Sequence, residues 1–238
     1  MAGHSKWANI KHKKAKEDAK RGKEFTKIVR EITIAAKSGG DPAGNPRLRH
    51  LIDKAKDLNM PQDNIVRAIK KGTGELPGVT YEAITYEGHG PAGTAIMVEV
   101  LTDNKNRAVA DLRALFTRNG GHLAETGSVN WMFEHLGIVR AHASANITED
   151  KLFESLMDYD IKDISINDGI ITISMPIHSL HDVTEAVKNM GIKVDESQME
   201  WVAKNLIELD PEAEEKAFNL LEKIEEYDDV QNVYTNIG

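Results

Sequence analysis

Lys6, Lys11, His12, Lys13, Lys14, Lys16, Lys20, Arg21, Lys23 and Lys27 crowd into the first 27 residues, with Trp7 among them. Ammonium groups at that density can neutralise several phosphates at once and release their condensed counterions. The resulting affinity is independent of sequence and falls with salt. Trp7 has two readings: its indole can stack on an unpaired base, a contact worth roughly 1–3 kcal/mol, or it can tuck onto the three-helix bundle beside a solubilising lysine face. Arg47 and Arg49, with Lys54 and Lys56, make a second cationic group, and Arg67 and Lys71, with Asn64, a third. The third set falls on the helical face opposite Ile65, Val66 and Ile69, and Asn59-Met-Pro61 joins two helices in the outline of a helix-turn-helix. Since any surface helix carries charge opposite its apolar stripe, these residues also read as plain solvated surface.

Other spacings that suggest chemistry lack the context it needs. Gly88-His-Gly-Pro-Ala-Gly93 fits G-x-G-x-x-G in letters. A dinucleotide site, however, requires a helix N-terminus next, whereas here a strand follows and Pro91 has no N–H to offer a phosphate. His178-Ser-Leu-His181 has neither the glutamate nor the spacing of a zinc helix and no evident third ligand. The close pairs Asp158/Asp160 and Asp228/Asp229 read as surface charge in an acidic body. No nucleophile elbow or phosphate loop is present, so no catalytic residue, cofactor or metal is expected.

Charge is distributed unevenly along the 238 residues. Residues 1–75 hold 18 Lys and Arg against 9 Asp and Glu, while residues 76–238 hold 12 against 29, inside a formal net charge of −8. A basic module on an acidic body points to a polyanionic partner, and nucleic acid is the expected one. The absence of cysteine removes disulfides and thiolate metal sites and suits a reducing compartment. No apolar run has membrane-spanning length, and the basic start is Lys-dominated and broken by Glu17 and Asp18, unlike an Arg- and Ser-rich presequence. The expectation is a cytoplasmic, non-enzymatic protein with no membrane partner and no small-molecule substrate.

The elements that must position these cations follow from periodicity. Phe25, Ile28, Val29, Ile32, Ala35 and Ala36 share one helical face, stopped by Ser38-Gly-Gly40. Asn45-Pro46 starts a second helix with Leu48, Leu51, Ile52, Ala55 and Leu58, and Pro61 a third, ending near Gly72. Three one-faced helices can bury those faces only against each other. Next come a hairpin of Tyr81–Tyr86 and Thr94–Leu101, a helix over 104–119 capped by Asp103 or Asn104, and a strand alternating Val129, Trp131 and Phe133. From Gly137 the order βαββαβ is ferredoxin-like. A final helix from Asp210-Pro211 and strand Val230–Thr235 have no partner in that completed unit and so return to the earlier sheet. The expected fold is α+β multidomain: a basic arm and three-helix bundle at 1–75, an α/β domain at 76–136 plus 206–238, and a ferredoxin-like domain at 137–205 inserted in it.

Met1-Ala-Gly-His-Ser-Lys-Trp-Ala-Asn9, Lys20-Arg-Gly-Lys23, Phe25-Thr-Lys27, Asn45-Pro-Arg-Leu-Arg49, Tyr86-Glu-Gly-His-Gly-Pro91, Asp103-Asn-Lys-Asn-Arg107, Gly120-Gly121, Gly127-Ser-Val129 and the Asp228–Tyr234 ending resemble, in that order, the motifs of the YebC/PmpR family. That family includes the mitochondrial translational activator of cytochrome oxidase. The resemblance implies a helical domain followed by two α/β domains. For function it implies either a cytoplasmic transcriptional regulator that binds DNA or a factor on the ribosome and its RNA that eases translation through proline runs. It supplies no catalytic set. Gly3-His-Ser-Lys-Trp7 is assigned to nucleic-acid contact, and Asp103–Arg107 to either function or the capping of its helix. A third possibility is an acidic protein-interaction scaffold with an incidental basic tail.

Overall fold

The structure, a computed structural model, describes residues 6–7, 21–78, 80–143 and 147–238, the side chains of 21–23 excepted. In chain order its main elements are α1 Arg21–Ala35, α2 Pro46–Asp57, α3 Gln62–Gly72, β1 Glu82–His89, β2 Ala95–Thr102, α4 Lys105–Arg118 and β3 His122–Leu123. There follow β4 Phe133–His142, α5 Glu149–Leu156, β5 Asp163–Asn167, β6 Ile170–Met175, α6 Leu180–Asn189, β7 Val194–Ala203, α7 Pro211–Glu225 and β8 Val230–Thr235. The fold is α+β. The described residues divide into two units, with Trp7, 21–129 and 209–233 in the first and Lys6, 130–208 and 234–238 in the second.

In the first unit, the three apolar stripes meet as their spacing requires. Ile28, Ile32, Leu48, Leu51, Ala55, Met60, Ile65 and Ala68 form one buried cluster. The buried Asn45 organises the corner between α1 and α2. Its side-chain oxygen accepts the Leu48 N–H at 3.0 Å, capping α2 ahead of Pro46, while its amide donates to the carbonyls of Ala35 and Gly39, each at 2.8 Å. α3 meets α1 at a glycine. A Cβ on Gly72 would lie 2.3 Å from the Thr33 carbonyl oxygen and 2.6 Å from the Ala36 Cβ.

The sheet of this unit has the order β3-β1-β2-β8. β1 and β2 pair antiparallel from Glu82↔Thr102 to His89↔Ala95, and every residue of β2 except Glu99 is buried. Gly88-His-Gly-Pro-Ala-Gly93 forms the end of this hairpin. Gly90 donates to the Thr94 carbonyl, Thr94 to that of Pro91, and Ala92 takes a φ of 55°. Gly88 is required by packing, since a Cβ there would stand 2.4 Å from the Phe116 ring of α4. After β3 the chain builds the whole second sheet before returning with α7, capped by Asp210, and β8.

The second unit runs β4-α5-β5-β6-α6-β7 with strand order β5-β6-β4-β7, all neighbours antiparallel, which is the ferredoxin-like arrangement. Val139, Ala141, Leu152, Leu156, Ile171, Ile173, Val183 and Val187 lie in its main core. Asp168 and Gly169, at φ 50° and 76°, turn β5 into β6. Ile138 lies in a second buried cluster with Leu136 and Val202. On the same alternating face of β4, the buried Arg140 pairs with Glu200, one of its contacts 2.8 Å, and with Glu196 at 3.0 Å. Burial opposes the charge on both Arg140 and Glu200. Their mutual attraction outweighs it, holding the Glu200 carboxyl below its ordinary range and raising the guanidinium.

One expected strand is not formed. Val129, Trp131 and Phe133 do not alternate on a strand, because residues 130–132 make a 3₁₀ turn and Phe133 opens β4, which runs unbroken through Gly137. The third strand of the first sheet is the two-residue β3 instead. Gly137 marks a packing contact and not the start of a strand. A Cβ there would come 3.0 Å from the Leu180 Cβ at the head of α6.

Candidate nucleic-acid interface

The helices place the expected cations in different circumstances. Lys11, His12, Lys13, Lys14, Lys16 and Lys20 lie outside the described residues, and Arg21 and Lys23 are described only as backbone of α1. Lys6 is exposed, its N–H donating to the Ile237 carbonyl. Lys27 is half-buried and its ammonium donates to the Gln231 carbonyl at 3.0 Å, so it fastens α1 to β8. Arg49 is exposed, yet its guanidinium holds the preceding loop by donating to the Pro42 and Ala43 carbonyls. Arg47 is exposed at the start of α2. Arg67 and Lys71 are exposed on α3, and their side chains make no hydrogen bond or ion pair among the described residues. Lys70, absent from the sequence-based set, is exposed beside them. Its spacing of three from Arg67 was the available signal.

Trp7 is enclosed, but on α7 and not on the three-helix bundle. It is only 4% exposed, and its ring stacks on Phe218 of α7 at a centroid distance of 5.5 Å. Its Nε1 is buried without a partner among the described residues. A ring so enclosed presents no face to a base, because its apolar area is already spent on Phe218.

Glu31 of α1 sets the local field beside the second cationic group. Burial pushes its carboxyl above the ordinary range, against the pull of Lys54 and Arg47. The face of α2 thus carries part of its positive charge as partner to a reluctant acid.

The motif residues 103–107 have a structural account. Asn104 caps α4 by accepting the Arg107 N–H at 3.0 Å. The Arg107 guanidinium bridges Asp103 at 2.7 Å and Asp229 at 2.9 Å. Asp229, itself buried, also accepts from the Thr102 hydroxyl at 2.8 Å and from Arg30 at 3.2 Å. Arg30 in turn donates to the Asp228 carbonyl and lies over the Tyr81 ring, 5.5 Å from its centroid. One carboxylate therefore ties α1, β2, α4 and the turn before β8 together. The hydrogen bond to Arg107 holds Asp103 below the ordinary carboxylate range, while burial and the bond to Asp111 push the Tyr227 phenol up to about 12. A second pair of motifs meets at Glu87, whose buried carboxylate accepts the N–H groups of Gly127 at 2.8 Å and Val129 at 2.7 Å. Arg30 does not stand out in the sequence, and Glu87 does so only as part of a motif, because the partners that define each come from distant chain.

Fold and site together define a class: an α+β protein whose N-terminal helices expose unpaired cations while its interior charges serve the scaffold. Residues 5–75 match the model described as the TACO1/YebC protein N-terminal domain, and residues 81–237 match that of the TACO1/YebC second and third domain. The chain belongs to the TACO1/YebC family. It is 50% identical to a protein of Chlorobium phaeovibrioides and 52% identical to one of Chlorobaculum tepidum, each alignment covering 100% of this chain and 95% of the relative. Both relatives are named probable transcriptional regulatory proteins. Among solved structures it is similar to a conserved hypothetical protein of Aquifex aeolicus, with a TM-score of 0.84, 38% identity, and 93% and 91% of the two chains covered. No helix among the described residues is long and apolar enough to cross a membrane.

Proposed function

We propose that this chain is a cytoplasmic, non-enzymatic transcriptional regulator that binds DNA through its N-terminal basic module. The observation that carries the reading is the segregation of charge, 18 Lys and Arg against 9 acids over residues 1–75 and the reverse imbalance beyond, together with the open cations Arg67, Lys70 and Lys71 on α3. Such groups contact phosphates and set position on a duplex without reading sequence. Arg47 joins them from α2. The lysines of residues 6–23 supply the larger, salt-sensitive share of the affinity. Lys27 and Arg49 are given a scaffold role instead, since their donors are engaged by backbone carbonyls.

The competing reading, a factor that acts on the ribosome and its RNA, drew on Trp7 as a stacking platform. With that ring enclosed against Phe218, the argument from stacking falls away and the DNA reading is preferred. Binding of the full chain to duplex DNA, structured RNA and ribosomes, measured in parallel at physiological salt, tests the choice. Preference for duplex DNA is expected, and preference for ribosomes overturns it. Removal of residues 1–23 is a poor probe because it also uncovers Phe218; neutralising Lys11, Lys13, Lys14 and Lys16 by substitution avoids that.

A further inference from the structure

Among the described residues the second unit holds most of the exposed large apolar side chains, and four of them fall on α5, the turn after it and the segment that turn meets. Phe153 and Met157 stand one turn apart on and just after α5, 48% and 77% exposed, while Leu152 and Leu156 fill the core beneath. Tyr159 follows in the next turn. Ile177 lies on the segment that meets this turn: its neighbour His178 is 3.9 Å from Asp160, and the Lys162 N–H donates to the Ser174 carbonyl. Single exposed apolar groups are ordinary, but a cluster of this kind marks a contact surface.

A stripe of acids runs beside it. Asp150 and Glu154, four residues apart on α5, are adjacent on the helical wheel to Phe153, and Asp158 follows Met157 in the turn after the helix. All three are exposed and none has an ion pair among the described residues. The acids repel phosphate, which excludes nucleic acid, and would face like charge in a second copy packed face to face. The chain's own lysine-rich segment 8–20 offers the charge but no apolar stripe, its only aliphatic groups being Ala8, Ile10, Ala15 and Ala19.

We infer that the Phe153–Met157–Tyr159–Ile177 surface docks a cationic amphipathic helix of another protein, its apolar stripe on these side chains and its Lys or Arg stripe on Asp150, Glu154 and Asp158. The inference is independent of what the basic module binds. The probe is a labelled 16-residue Leu/Lys peptide with Leu at helical spacing, titrated by fluorescence anisotropy against the full chain at about 0.15 M salt. The paired substitutions Phe153→Ser with Met157→Ser, and Glu154→Lys with Asp158→Lys, should each weaken binding tenfold or more, with circular dichroism unchanged because Leu152 and Leu156 stay in place. A control peptide with Ser for Leu should bind at least tenfold more weakly. The inference is overturned if the wild-type chain does not bind the peptide, if both double variants bind as it does, or if the Ser control binds equally. It is overturned as well if sedimentation shows wild-type dimers that Phe153→Ser with Met157→Ser abolishes, since a second copy then covers the surface.

Discussion

Trp7 shows how a single side chain redirects a functional reading. Stacked on Phe218 and nearly closed to solvent, it contributes to the first unit's packing. Trp7→Ala should therefore cost about 3 kcal/mol of stability in urea unfolding, in the range for removing a buried aromatic ring. Trp7→Phe, which keeps a ring, should retain nucleic-acid affinity within about twofold. A large loss of affinity in a stably folded Trp7→Phe chain would return the indole to the interface. Glu31 offers a second test at this scale. Its carboxyl is raised by burial, so the folded state favours the protonated form, and the stability this provides is present at low pH and lost as pH rises through the raised value. Glu31→Gln should accordingly raise Tm at pH 7, and the gain should vanish below about pH 4, where the unfolded chain also carries a protonated glutamate.

Elements are held by groups that local sequence displays unevenly. The cap at Asn45-Pro46, the cap at Asp210-Pro211 and the three apolar stripes of the bundle are legible because each is decided within about one helical turn. β3 is not legible, since two residues carry no period. Nor is the continuous β4, because Gly137 looks like a break until Leu180 is seen to need its space. The candidate site is legible only as a concentration of charge in residues 1–75. Which cations remain open is not, because Lys27 is answered by Gln231 and Trp7 by Phe218, each about two hundred residues away. Two substitutions test the joints. Gly72→Ala must push α3 from the Thr33 carbonyl and should cost about 1–3 kcal/mol. Asp229→Ala strips Arg30, Arg107 and Thr102 of one shared acceptor and should cost about 2–3 kcal/mol, read by urea unfolding of the full chain. Near-neutral results would mean that α1 is seated by apolar contact alone.

At the scale of the whole molecule, the two ends of the charge distribution have separate assignments. The buried acids Glu200 and Asp229 are answered by Arg140 and by Arg107. The residual positive charge collects in residues 1–75 and the residual negative charge beyond them. On the proposed reading, a chain of net charge −8 binds its polyanion through that one module, and the binding weakens steeply with salt. The most direct test is the slope of log affinity for duplex DNA against log salt, measured for the wild-type chain and for chains carrying Lys11→Gln, Lys13→Gln, Lys14→Gln and Lys16→Gln, or Arg67→Ala, Lys70→Ala and Lys71→Ala. Each lost phosphate contact should reduce the magnitude of the slope by about 0.9 and lower affinity uniformly across DNA sequences. Unchanged slope and affinity in both variants would contradict the assignment of the basic module to DNA.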